Sequence, residues 1–336
     1  MHDSVRPVSS GDFRKVTLIT KTRLVWFLTF FLRLTWFRGI IGIVSFRILF
    51  FFLLIVLPNF QLAASLPFET VFQGQKTFDR LVVRAQSENW SGLPIGLRTA
   101  TVGLALRGIP YKGFTLEIDD HIEAPSVNLN GLDCWTFFEA SLAFARMISE
   151  PRPNWTPQRM LQYIELDRYR NGKCNGNYLS RLHYLEDWLW DNDKRGLVDD
   201  LTRRLGGVRV RNMAREMTVG WKSYRYLRNN SDLREGIARH EARIAATPFY
   251  HIPKNRIADI EKYLQSGDII GITSRDGAGV GTSHVGLALR GEDGVVRFMH
   301  ASAPRNHGKV VIDKRISDYV KHYSTNAGIL VARPLR

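Results

Sequence analysis

Cysteine is scarce in this chain: two residues in 336, Cys134 and Cys174. That excludes a disulfide-stapled scaffold and any four-cysteine zinc ribbon. Acidic residues are also few, 32 against 47 Lys and Arg, which leaves a net charge of +15. A surplus of that sign suits a nucleic acid, an anionic membrane face or an anionic wall polymer equally. Charge alone selects no partner. Internal repeats and low-complexity tracts are missing, and with 44% hydrophobic residues the chain is not disordered.

Charge is absent altogether from residues 48–65, whereas residues 1–47 hold eight basic and two acidic side chains. The apolar stretch Leu24–Leu57 is broken by Arg33, Arg38 and Arg47. As one helix it would run roughly 50 Å, well beyond a ~30 Å hydrocarbon core. Each central Arg would cost about 2.5–3.5 kcal/mol there. A shorter unit fits better: Arg47 as positive flank, Ile48–Leu57 as apolar run, and Ala63-Ala64-Ser65 as small-residue exit. That is the anatomy of a secretory signal peptide. The alternative is an uncleaved anchor, which would hold the protein at the membrane. No Cys follows the run until Cys134, so a lipoprotein anchor is excluded. Residues 1–65 are therefore expected to be a leader. The body, 66–336, is expected to work outside the cytoplasm, in the periplasm or cell envelope.

Apolar spacing at Phe78, Leu81, Val82 and Ala85 predicts a helix, and Leu97–Leu106 a second. An extended segment to Leu129 leads into a long helix over Cys134–Ile148, with Pro151 and Pro153 just beyond it. Residues 154–250 read as a mostly helical insertion. From Gly267 the period changes to two, with strands at Asp268–Thr273, His284–Arg290, Val295–Ala301, Lys309–Ile312 and Gly328–Arg333. Helices first and an antiparallel sheet second give an α+β fold.

Three residues stand out chemically. Asp133 is a good N-cap for the Cys134 helix, and a thiol in a first helical turn feels the positive dipole end, which favours thiolate. The same free N–H groups suit a developing oxyanion. A three-residue turn at Glu292-Asp293-Gly294, with Gly294 left-handed, sets the hairpin register. His300 then faces Gly286, and His284 is its diagonal neighbour on the same side, ~7–8 Å apart. Gly286 and Ala288 share that face and leave room for the Cys134 helix. A thiol, an imidazole base and a second polar group to orient the base make a nucleophilic set. A zinc site from Cys134, His284 and His300 is the alternative, but it lacks the short ligand spacings that usually hold zinc.

The ordered motifs are more specific than any one alone. Gly108-Ile-Pro-Tyr, Thr115-Leu116-Glu117 and Leu132-Asp133-Cys134-x-Thr136-Phe137-x-Glu139 come first. Ser180-Arg181-Leu182-His183-Tyr184-x-x-Asp187-Trp188, Gly267-Asp268-Ile269-Ile270, Ser283-His284-Val285-Gly286 and His300-Ala301-Ser302 follow. Together they resemble the DUF1460 family of cysteine amidases, within the papain-like NlpC/P60 superfamily, over roughly residues 70–334. Met217–Lys222 and Cys174 depart from that pattern. The resemblance implies a papain-like core, a nucleophile helix packed on an antiparallel sheet, with helical additions. It implies N-acetylmuramoyl-L-alanine amidase activity on peptidoglycan or muramyl peptides, with no metal or organic cofactor. Cys134 would be the nucleophile, His284 the base and His300 the orienting residue. Asp133, Ser180, Arg181, His183 and Tyr184 are the candidate substrate contacts. On a helix, Ser180, Tyr184 and Asp187 would share one face, with His183 and Asp187 as i,i+4 neighbours. The Arg181 fork would suit a substrate carboxylate. A γ-D-glutamyl endopeptidase and a non-catalytic wall-binding protein are the competing readings. A nucleic-acid partner is opposed by the export signal.

Overall fold

The computed structural model describes residues 66–277 and 279–335, so the leader read into residues 1–65 lies outside it. Among the described residues no helix is long and apolar enough to cross a membrane.

The first two expected helices are α1 (Gln75–Ser87) and α2 (Ile95–Ala105). In α1, Phe78, Leu81 and Ala85 are buried, as their spacing requires. Helix α3 (Cys134–Met147) is buried on every side from Thr136 onward. Its polar residues therefore need internal partners. Glu139 pairs with Arg168 at 2.8 Å, and Arg146 with Asp167 at 3.3 Å, both partners coming from α4 (Pro157–Arg168).

The segment 154–250 is mostly helical, as expected, but not wholly so. Besides α4, α5 (Leu185–Lys194) and α6 (Asp232–Ala246), it supplies strands β1 (Val198–Asp200), β2 (Val208–Val210) and β3 (Phe249–Pro253). These join β4 (Ile269–Asp276), β5 (Gly279–Arg290), β6 (Val296–Ala301), β7 (Val310–Arg315) and β8 (Asn326–Pro334) in one antiparallel sheet. The order is β2-β3-β8-β4-β5-β6-β7, with β1 paired to β8. β1 and β3 are strands because β8 reaches back to them, Ala332 to Asp200 and Ile329 to Ile252. Such long-range pairing leaves no local period.

The β5–β6 hairpin has the register its turn requires. Gly294 has φ +75°, Gly291 N–H donates to Val295 O at 2.9 Å, and Leu287 pairs with Met299. One expectation about its faces is reversed. Val285, Leu287 and Met299 pack with Phe137 of α3. Ala288 and Phe298 lie on the other face, covered by Ile316, Tyr319 and Val320 of α7 (Ile316–His322). The room at Gly286 is taken by His300 and Phe298, not by α3; a Cβ there would lie 2.8 Å from each.

Candidate active site

Cys134 is the first residue of α3. Asp133 Oδ1 accepts from Thr136 N–H at 2.8 Å, and Asp133 N–H donates to Thr136 Oγ1 at 3.0 Å, a reciprocal cap. β5 pairs with β6 only as far as Leu287, and beyond that ladder the Val285 N–H, like that of Trp135, favours the ionised form of the Cys134 sulfur. The helix start and the freed strand end thus meet at the thiol.

Two β-bulges aim the histidines. In the β4–β5 ladder Ile272 pairs with His284 and Thr273 with Thr282, so Ser283 is extra. The N–H and hydroxyl of Thr282 both donate to Glu186 of α5, each at 2.9 Å, which pins the bulge. In the β6–β7 ladder Met299 pairs with Ile312 and Arg297 with Arg315, so Asp313 and Lys314 face one residue. Bulges re-aim side chains in this way beside active sites. His284 Nε2 lies 2.7 Å from His300 Nδ1, and His300 Nε2 lies 3.4 Å from Asp313 Oδ2. The two imidazole nitrogens bond each other rather than converging on a metal. Asp313 was missed from sequence, because only the bulge brings it to His300.

Cys134, His284, Asp133, Arg181, His183 and Tyr184 line one cavity of about 340 Å³. His300 stands behind His284, 1% exposed. Ser180 is not among the lining residues; its hydroxyl donates to Asn177 O at 2.7 Å. Tyr111, Phe114, Glu117, Trp135, Tyr178 and Tyr224 complete much of the wall; Tyr111 and Glu117 belong to the ordered motifs, and the others have no sequence signal beyond aromatic character. A second space of about 640 Å³ shares Tyr184, Glu216, Thr282 and Ser283 with the first.

The helix expected across Ser180–Asp187 is absent, because α5 begins at Leu185. Arg181 instead bridges to Tyr169, and Leu182 N–H donates to Arg168 O at 2.9 Å, so the segment is extended. Asp187 pairs with Arg170 at 2.8 Å and Arg243 at 2.9 Å, not with His183. His183 Nε2 donates to Tyr178 O at 3.0 Å. The Arg181 fork is occupied: Glu117 at 2.9 Å, Glu123 at 3.6 Å, Leu116 O at 3.1 Å, with the Tyr178 ring 4.6 Å away. Tyr184 donates to Glu241 at 2.5 Å.

Burial, and then the Asp133 charge, push the Cys134 thiol up to about 12, against the N–H groups of Val285 and Trp135. The lowering expected from the helix start is thus outweighed. Burial, and then His300, push His284 down to about 3. At neutral pH the pair rests as thiol and neutral imidazole.

The AmiA-like family model, described as N-acetylmuramoyl-L-alanine amidase-like, matches residues 101–329. The chain belongs to this family. Among solved structures, an N-acetylmuramoyl-L-alanine amidase from Bacteroides uniformis is 27% identical, with TM-score 0.65 over 72% of this chain and 99% of that one. A Bacteroides fragilis protein named as a xylanase candidate is 29% identical, with TM-score 0.62 over 70% and 99%. A Legionella pneumophila protein of the DUF1460 family, 19% identical with TM-score 0.58 over 78% and 95%, shares the fold. No curated protein sequence matches the chain. For this family member an amidase-like, α+β architecture is therefore common ground with its neighbours.

Proposed function

We propose that the chain is a cysteine amidase of the cell envelope, on a papain-like NlpC/P60 core, that hydrolyses the amide between N-acetylmuramic acid and L-alanine. The observation that carries this reading is one cavity holding Cys134 at a helix start and His284 braced by His300. With Nε2 bonded to His300, the remaining nitrogen of His284, Nδ1, takes the thiol proton as Sγ attacks the lactyl carbonyl. The first free N–H groups of α3 stabilise the oxyanion. His284 then returns the proton to the L-alanine nitrogen as the C–N bond breaks. Water, deprotonated by His284, hydrolyses the thioester and releases the muramic acid carboxylate. The scheme uses neither metal nor organic cofactor.

The rim supports a sugar. Phe114 is 63% exposed yet has φ +59°, a left-handed conformation costing roughly 1–3 kcal/mol. Its ring lies 6.4 Å from that of Tyr224. Held there, the pair offers an aromatic platform for the apolar face of a pyranose. The adjoining space of about 640 Å³, with Arg275 among its lining residues, gives room for a stem peptide. Asp133, Arg181, His183 and Tyr184 shape the cavity between them.

A glycosidase needs two carboxyl groups flanking the scissile bond. Here Glu117 is taken by Arg181 and by Tyr226 N–H, Asp133 by the helix cap and Glu216 by the Tyr224 hydroxyl, which favours the amidase. Residues 1–65 would export the enzyme, and their retention would hold it at the membrane. The deciding experiment is mass spectrometry after incubation with a muramyl tripeptide and with the free tripeptide. The muramyl substrate should yield a peptide with a new L-alanine N-terminus while the free peptide stays intact. Cleavage of the free peptide after D-glutamate would replace the amidase reading with the endopeptidase one.

A further inference from the structure

The hydrogen-bond chain behind His284 ends on Asp313, and its polarity follows from its last member. A carboxylate only accepts, so Asp313 Oδ2, 3.4 Å from His300 Nε2, draws an N–H onto that nitrogen. With one proton per ring, His300 Nδ1 is then a lone pair. The 2.7 Å bond to His284 Nε2 therefore needs His284 Nε2 to donate. His284 Nδ1 is left as a lone pair, able to take a proton from Cys134. Reversed, the chain would place the His284 proton on Nδ1, where the ring is no base toward the thiol.

We propose that Asp313 is a positioning residue that sets, through His300, the tautomer in which His284 acts as a base. Only its consequence for rate rests on the amidase reading; the tautomer does not.

Geometry around the carboxylate supports the assignment. The bulge at Asp313 and Lys314 points it at His300, and Lys314 N–H donates to its other oxygen at 2.7 Å. The hydrogen bond from His300 holds Asp313 down to about 2, so it is ionised at neutral pH. The His300 ring is stacked on Phe298 at 4.6 Å and stands perpendicular to His284, which fixes the direction of both nitrogens. His307, exposed, has Nε2 3.6 Å from the same Oδ2, and Tyr319 is a further ionisable neighbour of the carboxylate.

The test is the imidazole proton pattern of histidine-¹⁵N-labelled full chain at pH 7, read by long-range ¹H–¹⁵N correlation without substrate. The wild type should carry the His284 proton, and that of His300, on Nε2. In Asp313→Leu the His284 proton should move to Nδ1, with kcat on muramyl tripeptide falling about 10²-fold at unchanged KM. In Asp313→Asn the amide oxygen still accepts the His300 N–H, so the Nε2 tautomer should persist and most of kcat should return. A wild-type spectrum with His284 protonated on Nδ1 overturns the proposal without recourse to any variant. So does an Asp313→Leu protein that keeps the Nε2 proton. The expected tautomers in a protein that leaves muramyl tripeptide intact would support Asp313's role and reject the amidase reading.

Discussion

Two walls of the same cavity treat charge in opposite ways. On the sheet wall, Cys134 and His284 are half-buried and uncharged at rest, the thiol pushed up to about 12 and the imidazole down to about 3. On the wall built by the segment around Arg181, a guanidinium with 6% side-chain exposure stays ionised between Glu117 and Glu123. The difference is one of timing. A neutral pair is desolvated without a large penalty and separates charge only when a substrate carbonyl receives it. An ion cluster must be solvated permanently by its own partners. The first wall is therefore equipped for reaction and the second for holding its shape.

The largest effect that would break this comparison is loss of the thiol. Cys134→Ala should lower kcat on muramyl tripeptide by at least about 10³-fold, because the covalent route disappears. Its melting temperature should stay close to wild type, since the cap at Asp133 does not involve the sulfur. Product formation and calorimetry check both halves. Retained activity would move the chemistry away from the sheet wall.

Arg181→Ala should act on the other wall through stability. Removing the guanidinium leaves Glu117 and Glu123 without their cation in a buried setting, at a cost of about 3–5 kcal/mol. Urea denaturation should show that loss, and Glu123→Gln in the same chain should recover part of it. A wild-type unfolding midpoint with a raised KM alone would instead make Arg181 a carboxylate receptor, as its residue type first suggested.

The pH response sharpens the contrast further. Iodoacetamide reacts with thiolate, so labelling of Cys134 should rise about tenfold per pH unit from 7 to 9. A plateau with its midpoint near 7 would mean a pre-formed thiolate. His284 and His183 are both held below their ordinary range, each first by burial. Unfolded histidines take up protons near pH 6.5 and the folded His284 only near 3, so stability should fall as pH drops through that window. Calorimetry between pH 7 and 4 reads it, and a flat melting temperature would contradict neutral burial.

What was legible in the sequence, and what was not, divides along the same line. The Asp133 cap and the Gly294 turn are local devices, and they were enough to place Cys134 at a helix start and both imidazoles on one face. The bulges at Ser283 and at Asp313 depend on the neighbouring strand, so the last link of the histidine chain could not be read. The segment from Ser180 to Asp187 has helical spacing, yet the Arg181–Tyr169 bridge and the Leu182–Arg168 bond hold its first half, Arg181–Tyr184, out of the helix that begins at Leu185. Tertiary partners decided there. The strands β1 and β3 were missed for the same reason, since their partners, β8 for β1 and both β8 and β2 for β3, make them strands.

The smallest effect should come from the turn that made the register legible. Gly294 has φ +75°, and a Cβ there would meet no atom within 4 Å. Ala at that position therefore adds backbone strain alone, about 1 kcal/mol. The register has other supports, because Leu287 to Arg290 pair with Met299 to Val296 and Phe298 stacks on His300. Gly294→Ala should lower the melting temperature by roughly 2–4 °C and change kcat/KM less than about twofold. Gly286→Ala makes the useful contrast: its Cβ would lie 2.5 Å from Met299 O and 2.8 Å from His300 Cβ, so β6 must shift at the histidine pair itself. If Gly294→Ala proved the more damaging to activity, the turn alone would hold the histidines on one face. The sheet wall would then owe its geometry to three residues at its tip, not to the ladder behind them.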